Sequence, residues 1–142
     1  MTTPEALPAP FGKKDAGSGK LTDYRFNMVP RNVKVTMQLA GSDPFQDVIR
    51  DAQSRAGSSS GIQAFVARRT AEEERTDAPI AVRFFIDSRM TGVVGWVPRG
   101  LEAAVIDTLT RLEDAGRSPR IPAAIVKTRH GLRVDLLLGQ TR

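Results

Sequence analysis

Short stretches in which apolar and polar residues alternate constrain the fold of this 142-residue chain more than any other feature. In NVKVTMQLA the apolar side chains recur at every second position from Val33 to Leu39, and IAVRFFID repeats the pattern from Ile80 to Ile86. Successive side chains of a strand point to opposite faces, so this period of two predicts strands with one buried face. We therefore expect a sheet to form much of the core.

The same alternation assigns individual side chains to opposite faces of a strand. In IQAFVARRT it places Gln63 and Phe65 on one face and Ala64 and Val66 on the other. In IAVRFFID one face holds Ala81, Arg83, Phe85 and Asp87, and the other holds Ile80, Val82, Phe84 and Ile86. A cation and an aromatic ring can therefore project together from one surface of this strand.

Helical periodicity is confined to two segments. DPFQDVIRDAQ follows Ser42, which with Asp43 is a candidate N-cap, and LEAAVIDTLTRLEDAG ends at Gly116, a typical C-terminal glycine. AEEERTDAP is predicted as a solvated turn, and the last 23 residues contain a hairpin with RHG at its turn. These elements predict an α+β, mainly β fold, either a small curved antiparallel sheet or an OB-like barrel with two helices.

The first 31 residues differ from the remainder in composition. Residues 1–31 are rich in Pro, Gly, Ala and Lys, so we expect a basic N-terminal arm that is disordered in isolation, followed by a single domain over 32–142. Tyr24, Phe26 and Met28 are candidates for docking on the core, or on a protein partner through residues 20–31.

Charge and composition restrict the classes of partner. The formal net charge is +5, and residues 117–142 hold six basic residues against one acidic residue, a basic balance that favours a polyanion such as nucleic acid. No long apolar run predicts a membrane span, and no secretory signal is recognisable, so we expect a cytoplasmic protein. The absence of cysteine excludes disulfides and thiolate ligands.

Motifs of enzymatic chemistry are weak in this sequence. The segment SSSG lacks the context of a nucleophile elbow, and the single histidine, His130, lies at the predicted hairpin turn. The acidic run at 72–74 is more typical of a solvated face than of a cation site. The sequence therefore predicts neither an enzyme nor a metal or other cofactor.

The second half of the chain resembles the HIRAN domain family. The family motif has an arginine-bearing strand, an Asp-containing loop, an A-V-x-V strand, and then V-G-Y-L-P/S-R before a helix. Here Arg68 and Arg69 precede Asp77, which is followed by IAVRFFID and by VGWVPRGLEAAV from Val94 to Val105. The resemblance spans residues 32–138 and is clearest over 77–105. It implies a modified OB-like barrel.

For the helicase-associated members of that family, the resemblance also implies binding of single-stranded DNA with capture of its 3′ end. Two positions depart from the family pattern. The loop that usually contains Asn-Pro-Tyr-Asp is ERTD here, which places Thr76 where the family has an aromatic residue. Ile80 stands where the family usually has asparagine.

The candidate nucleic-acid contacts are of two kinds. Phe85 and Trp96 are candidates for stacking on bases, and arginines, Arg120 among them, are candidates for a track along phosphates. Two alternatives remain open: both faces of the strand at 79–87 are covered and Trp96 is a core residue, or the arginines form surface ion pairs. The predicted site residues are Arg68, Arg69, Asp77, Arg83, Phe85, Trp96, Arg99, Arg129 and Arg133.

Taken together, these features predict a non-enzymatic module that binds nucleic acid, with single-stranded DNA favoured and its 3′ end a possible target. The alternative is a structural or adaptor subunit of a larger assembly, such as a virion or a multiprotein complex. In that case the N-terminal arm would contact the partner and order on assembly. The two functions differ in their expected salt dependence, because only polyanion binding weakens steeply with ionic strength.

Overall fold

The fold is mainly β, as the alternation predicted. The computed structural model describes residues 17–24, 28–56, 62–66, 68–86 and 88–141. In these residues six strands form one antiparallel sheet in the order β1-β6-β5-β2-β3-β4. The strands are β1 (Met37–Gln38), β2 (Gln63–Val66), β3 (Ala81–Ile86), β4 (Arg89–Trp96), β5 (Arg120–Thr128) and β6 (Gly131–Leu136).

The first strand is shorter than its sequence predicts. NVKVTMQLA forms a strand only at Met37–Gln38, and Val33 is 63% exposed. A local turn competes with the strand, because the side-chain Oδ1 of Asn32 accepts a hydrogen bond from the backbone N–H of Lys34 at 2.8 Å. Such side-chain bonds to nearby backbone favour turns over sheet ladders. The strand therefore begins only after this turn.

Three α-helices accompany the sheet in the described part of the chain: α1 (Gln46–Ala56), α2 (Ala71–Arg75) and α3 (Glu102–Asp114). The predicted helices are confirmed as α1 and α3, whereas the acidic segment predicted as a turn forms the short α2. A capping box explains this helix: the hydroxyl of Thr70 accepts from the backbone N–H of Glu73, and the Glu73 carboxylate accepts from the backbone N–H of Thr70.

The sheet curls into a half-barrel whose terminal strands meet at one rim. There Ala40, just after β1, exchanges two backbone hydrogen bonds of 2.8 Å with Trp96 at the end of β4. Gly95 makes this approach possible, because a Cβ at that position would lie 3.0 Å from the Cβ of Leu39 and from the Oγ of Ser42. The glycine next to the tryptophan thus permits the sheet to curl.

A tight turn connects β4 to α3. The backbone N–H of Leu101 donates to the carbonyl of Pro98 at 3.1 Å, and α3 begins one residue later. Pro98 thus lies in the turn between the last residue of β4, Trp96, and the first residue of α3, Glu102. The predicted stop at Gly116 is confirmed: its φ of +75° suits glycine, and its N–H and that of Arg117 bond back to the last turn of α3.

The core lies on the inner face of the curled sheet, where α1 and α3 pack. Phe84 and Leu109, from β3 and α3, are among the largest side chains that are fully buried. Tyr24 from the predicted arm also belongs to this core, and Ser18 bonds to Gln38 as a further strand would. Phe26, the other aromatic candidate for docking, lies outside the described residues. No helix in the described segments is long and apolar enough to cross a membrane.

Candidate nucleic-acid interface

The opposite face of four neighbouring strands is open to solvent. Strand register aligns its side chains in two rows that run across β5, β2, β3 and β4. Paired residues of antiparallel strands project from the same side of a sheet. We call this surface the outer sheet face; its first row is Arg120, Phe65, Arg83 and Val93, and its second row is Pro122, Gln63, Phe85 and Met90.

Burial distinguishes the outer sheet face from the core face of the same strands. Arg83 and Met90 are exposed, and the other six members are half-buried. The intervening positions Ala64, Val82 and Phe84 have no exposed surface. The alternation predicted from IAVRFFID is confirmed for Arg83 and Phe85, which lie on the exposed side. Within the described residues, β3 is therefore fully covered on its core face and partly exposed on the other.

The outer sheet face combines aromatic rings with positive charge. Phe65 lies directly opposite Arg83, so Phe85 is its diagonal neighbour, about 7–8 Å away. The guanidinium carbon of Arg120 lies 3.8 Å from the centroid of the Phe85 ring, within the range of a cation–π contact. No member of the two rows is acidic. In the part of the chain that the structure describes, the side chain of Arg83 forms no hydrogen bond or ion pair.

Three predicted site residues converge at a second location, which we call the Asp77 cluster. Arg69 contacts Oδ1 of Asp77 at 3.2 Å, and Arg99 contacts Oδ2 at 2.7 Å. Arg99 also lies 3.3 Å from a carboxylate oxygen of Glu102 in α3. Asp77 has a φ of +54°, a conformation that aspartate tolerates better than most residues. Arg69, Asp77 and Arg99 are separated in sequence, and the fold brings their side chains into contact.

The Asp77 cluster lies at one end of the outer sheet face. Arg69 follows β2 closely and Asp77 precedes β3, the two strands that carry Phe65 and Arg83. The carboxylate of Asp77 is accessible, since its side chain is 71% exposed. Ion pairs of such exposure typically contribute only about 0–1 kcal/mol to stability. The cluster thus offers an accessible acceptor between two guanidinium groups that are already paired.

The remaining predicted contacts are dispersed. Arg68 pairs with Glu113 of α3 at 2.6 Å, and Arg129 is exposed at the turn between β5 and β6. Arg133 is only 4% exposed and contacts Asp43 at 2.7 Å. Trp96 is 8% exposed, which matches the core alternative rather than a stacking surface. The predicted phosphate track therefore does not form a continuous accessible surface, because burial removes Arg133 and an ion pair occupies Arg68.

Sequence reasoning missed five members of the outer sheet face: Gln63, Phe65, Met90, Val93 and Pro122. The alternation placed Gln63 and Phe65 on one face of β2, but their alignment with β3 and β5 was not predictable from the strand alone. Met90 lies near the start of β4, four residues before the motif VGWVPRGLEAAV that the sequence showed from Val94. The local signal for Phe65 was present. What was missing was the identity of its neighbours across the sheet.

Comparison of the chain with protein-family models, curated proteins and solved structures finds no match. The resemblance to the HIRAN family accordingly stays a prediction from the sequence motifs. Among the described residues, no group of three or more His, Cys, Asp or Glu side chains is arranged to hold a metal ion.

Proposed function

We propose that this chain is a non-enzymatic module that binds single-stranded nucleic acid, with DNA favoured, across the outer sheet face. The observation that carries the proposal is a partly exposed sheet surface on which Phe65 lies between Arg120 and Arg83 in the first row and Phe85 lies in the second row, with no carboxylate in either row. Proteins that bind single strands combine aromatic rings for stacking with cations for the phosphates. The outer sheet face contains both groups.

The spacing of the two rings supports a strand laid across the sheet. Phe65 and Phe85 are diagonal neighbours on adjacent strands, so two successive bases of an extended chain can lie one at the Phe65 ring and one at the Phe85 ring with the Arg120 guanidinium on it. Bases in a duplex are stacked on one another and do not present their faces to a protein. A surface that binds by stacking therefore prefers unpaired strands.

The Asp77 cluster supports contact with the end of the strand. Its carboxylate is accessible at the edge of the outer sheet face and accepts hydrogen bonds, so a terminal hydroxyl suits it better than a terminal phosphate, which the negative charge repels. The resemblance to helicase-associated HIRAN domains implies the 3′ end. We therefore include a preference for a free 3′-hydroxyl in the proposal.

The alternative function is that of a structural or adaptor subunit. Its support is the exposure of two large apolar residues near the N-terminal segment, Leu21 at 56% and Val33 at 63%. A protein partner that covers these residues would bind by apolar burial. Such binding weakens little as salt is added, whereas phosphate contacts weaken steeply.

Fluorescence anisotropy with labelled oligonucleotides tests the proposal at low and moderate salt. We expect single strands to bind more tightly than duplex, salt to weaken binding, and a 3′-phosphate to reduce affinity relative to a 3′-hydroxyl. Phe65→Ala and Phe85→Ala are each expected to weaken binding about 5-fold to 150-fold, since a base–aromatic stack contributes about 1–3 kcal/mol. Leu21→Ala is the matched apolar control and is expected to bind as the wild type does.

Two results would decide against the proposal. If the wild type does not bind single strands at low salt, the charge of the chain serves another purpose and the adaptor function is favoured. If both phenylalanine variants remain folded and bind as tightly as Leu21→Ala, the outer sheet face is not the binding surface. Equal affinity for both kinds of 3′ end would remove only the preference for the terminal hydroxyl.

A further inference from the structure

We infer that Arg120 binds a base by stacking, so that its guanidinium and the Phe85 ring form one two-layer platform. This inference rests on the proposed function and concerns the chemistry of a single residue in it. The sequence pattern assigned Arg120 to a track of phosphate contacts. The structure instead places its guanidinium carbon 3.8 Å from the centroid of an aromatic ring.

The position of Arg120 requires its side chain to reach across a strand. Arg120 is in β5 and Phe85 is in β3, and β2 lies between them. Arg120 aligns with Phe65, whereas Phe85 aligns with Gln63 in the next row. The side chain therefore extends diagonally over β2, and its head group contacts the ring at the separation expected for atoms in van der Waals contact.

Arg120 also differs from the other predicted arginines in its partners. Arg68, Arg69 and Arg99 each contact a carboxylate within 3.2 Å. Within the described segments, the guanidinium of Arg120 lies over the Phe85 ring, and its side chain forms no hydrogen bond or ion pair. Its position is thus set by stacking rather than by charge pairing, which leaves its N–H groups available to a ligand.

The guanidinium of Arg120 is planar, so one face can lie on the Phe85 ring while the other face meets a base. A planar cation stacked on a ring has a second face, and arginine guanidinium planes are known to stack on nucleic-acid bases as aromatic rings do. Gln63 lies beside the platform, opposite Phe85, and its carboxamide can bond to the edge of a base placed there. Lysine has the same charge but no plane, so it cannot replace Arg120 in this role.

Variants of the full chain that conserve the charge distinguish the effect of the planar guanidinium from the effect of its positive charge. We expect Arg120→Lys to weaken binding of single-stranded DNA about 5-fold while the salt dependence of the affinity stays the same. Arg129→Lys is the matched control, because Arg129 is exposed at the turn between β5 and β6, away from the outer sheet face. It makes the same exchange of arginine for lysine and is expected to change the affinity less than about 2-fold.

A double-mutant cycle with Phe85→Ala identifies the partner of Arg120. If the two side chains form one platform, Arg120→Lys has little further effect once the ring is removed. The inference is wrong if Arg120→Lys binds as the wild type does, or if its effect is unchanged in the Phe85→Ala background. Failure of the wild type to bind single strands would overturn the proposed function together with this inference, whereas the other two results overturn the inference alone.

Discussion

Phe84 and Phe85 are neighbours in β3 but lie on opposite faces of the sheet. Phe84 is fully buried in the core, while Phe85 is half-buried on the outer sheet face and contacts Arg120. Two residues of the same type therefore have different roles, because the strand turns successive side chains to opposite sides. The comparison teaches that an aromatic residue is a candidate for binding only where the fold leaves its face of the sheet partly exposed.

Removal of each ring in turn tests this comparison and has the largest expected effect on stability. Phe84→Ala leaves a cavity in the core, so we expect the free energy of unfolding to fall by about 3–5 kcal/mol. Phe85→Ala removes a ring that is only partly buried, so we expect a loss of about 1–2 kcal/mol. Chemical denaturation followed by the fluorescence of Trp96, the single tryptophan, measures both values.

The same two variants are expected to differ in the opposite sense in their binding of single-stranded DNA. Under conditions where both remain folded, Phe84→Ala keeps its affinity and Phe85→Ala loses it. Similar losses of stability in the two variants would mean that Phe85 is a second core residue. The distinction between the faces would then fail for β3.

The comparison of buried and exposed aromatic residues extends to Tyr24, by which the N-terminal segment packs into the core on the inner face of the sheet. Burial, with a smaller contribution from Asp23, raises the pKa of the Tyr24 hydroxyl from 10.0 to about 12. The unfolded chain therefore loses this proton first, so the contribution to stability is complete below pH 10 and disappears as the pH rises from 10 to about 12. The expected loss over this window is about 2–3 kcal/mol.

Tyr24→Phe provides the matched control for this pH dependence. Lysines also titrate in alkaline solution, so the prediction concerns the difference between wild type and variant in denaturation at each pH. At neutral pH the variant is expected to be as stable as the wild type, because the buried Tyr24 hydroxyl has no hydrogen-bond partner among the described residues. Parallel stability curves up to pH 12 would show that the segment does not pack on the core in solution.

Two arginines make the smallest expected contrast between the faces. Arg133 is buried beside Asp43, and its alanine variant is expected to lose about 1–2 kcal/mol of stability through lost packing and hydrogen bonds. Arg83 is exposed, and its alanine variant is expected to stay within about 0.5 kcal/mol of the wild type.

Binding by these variants completes the contrast. Arg83→Ala is expected to weaken binding of single strands and to reduce the slope of log affinity against log salt by about 1, as the loss of one phosphate contact does. Arg133→Ala, where folded, is expected to keep both the affinity and the slope. A lower slope for Arg133→Ala would contradict the assignment of this residue to the protein interior.

Much of the fold could be predicted from local patterns. The alternation in IAVRFFID placed Arg83 and Phe85 on the same face of the strand, and Gly116 marked the end of α3. The two elements that were predicted wrongly also have local causes. A turn bond to Asn32 shortens the first strand, and a capping box makes the acidic segment helical as α2. Both interactions join residues that are close in sequence. Neither is visible in the periodicity of apolar residues from which the elements were predicted.

The sequence by itself determined which side chains share a face of each strand, because backbone geometry fixes the alternation within the strand. Only the tertiary structure decided which strands are neighbours, and therefore that Phe65, Phe85 and Arg120 meet. It also decided which arginines are neutralised, since Arg133 meets its partner Asp43 across a sequence separation of 90 residues. Contacts at such separations depend on the packing of the whole chain, which no local pattern contains.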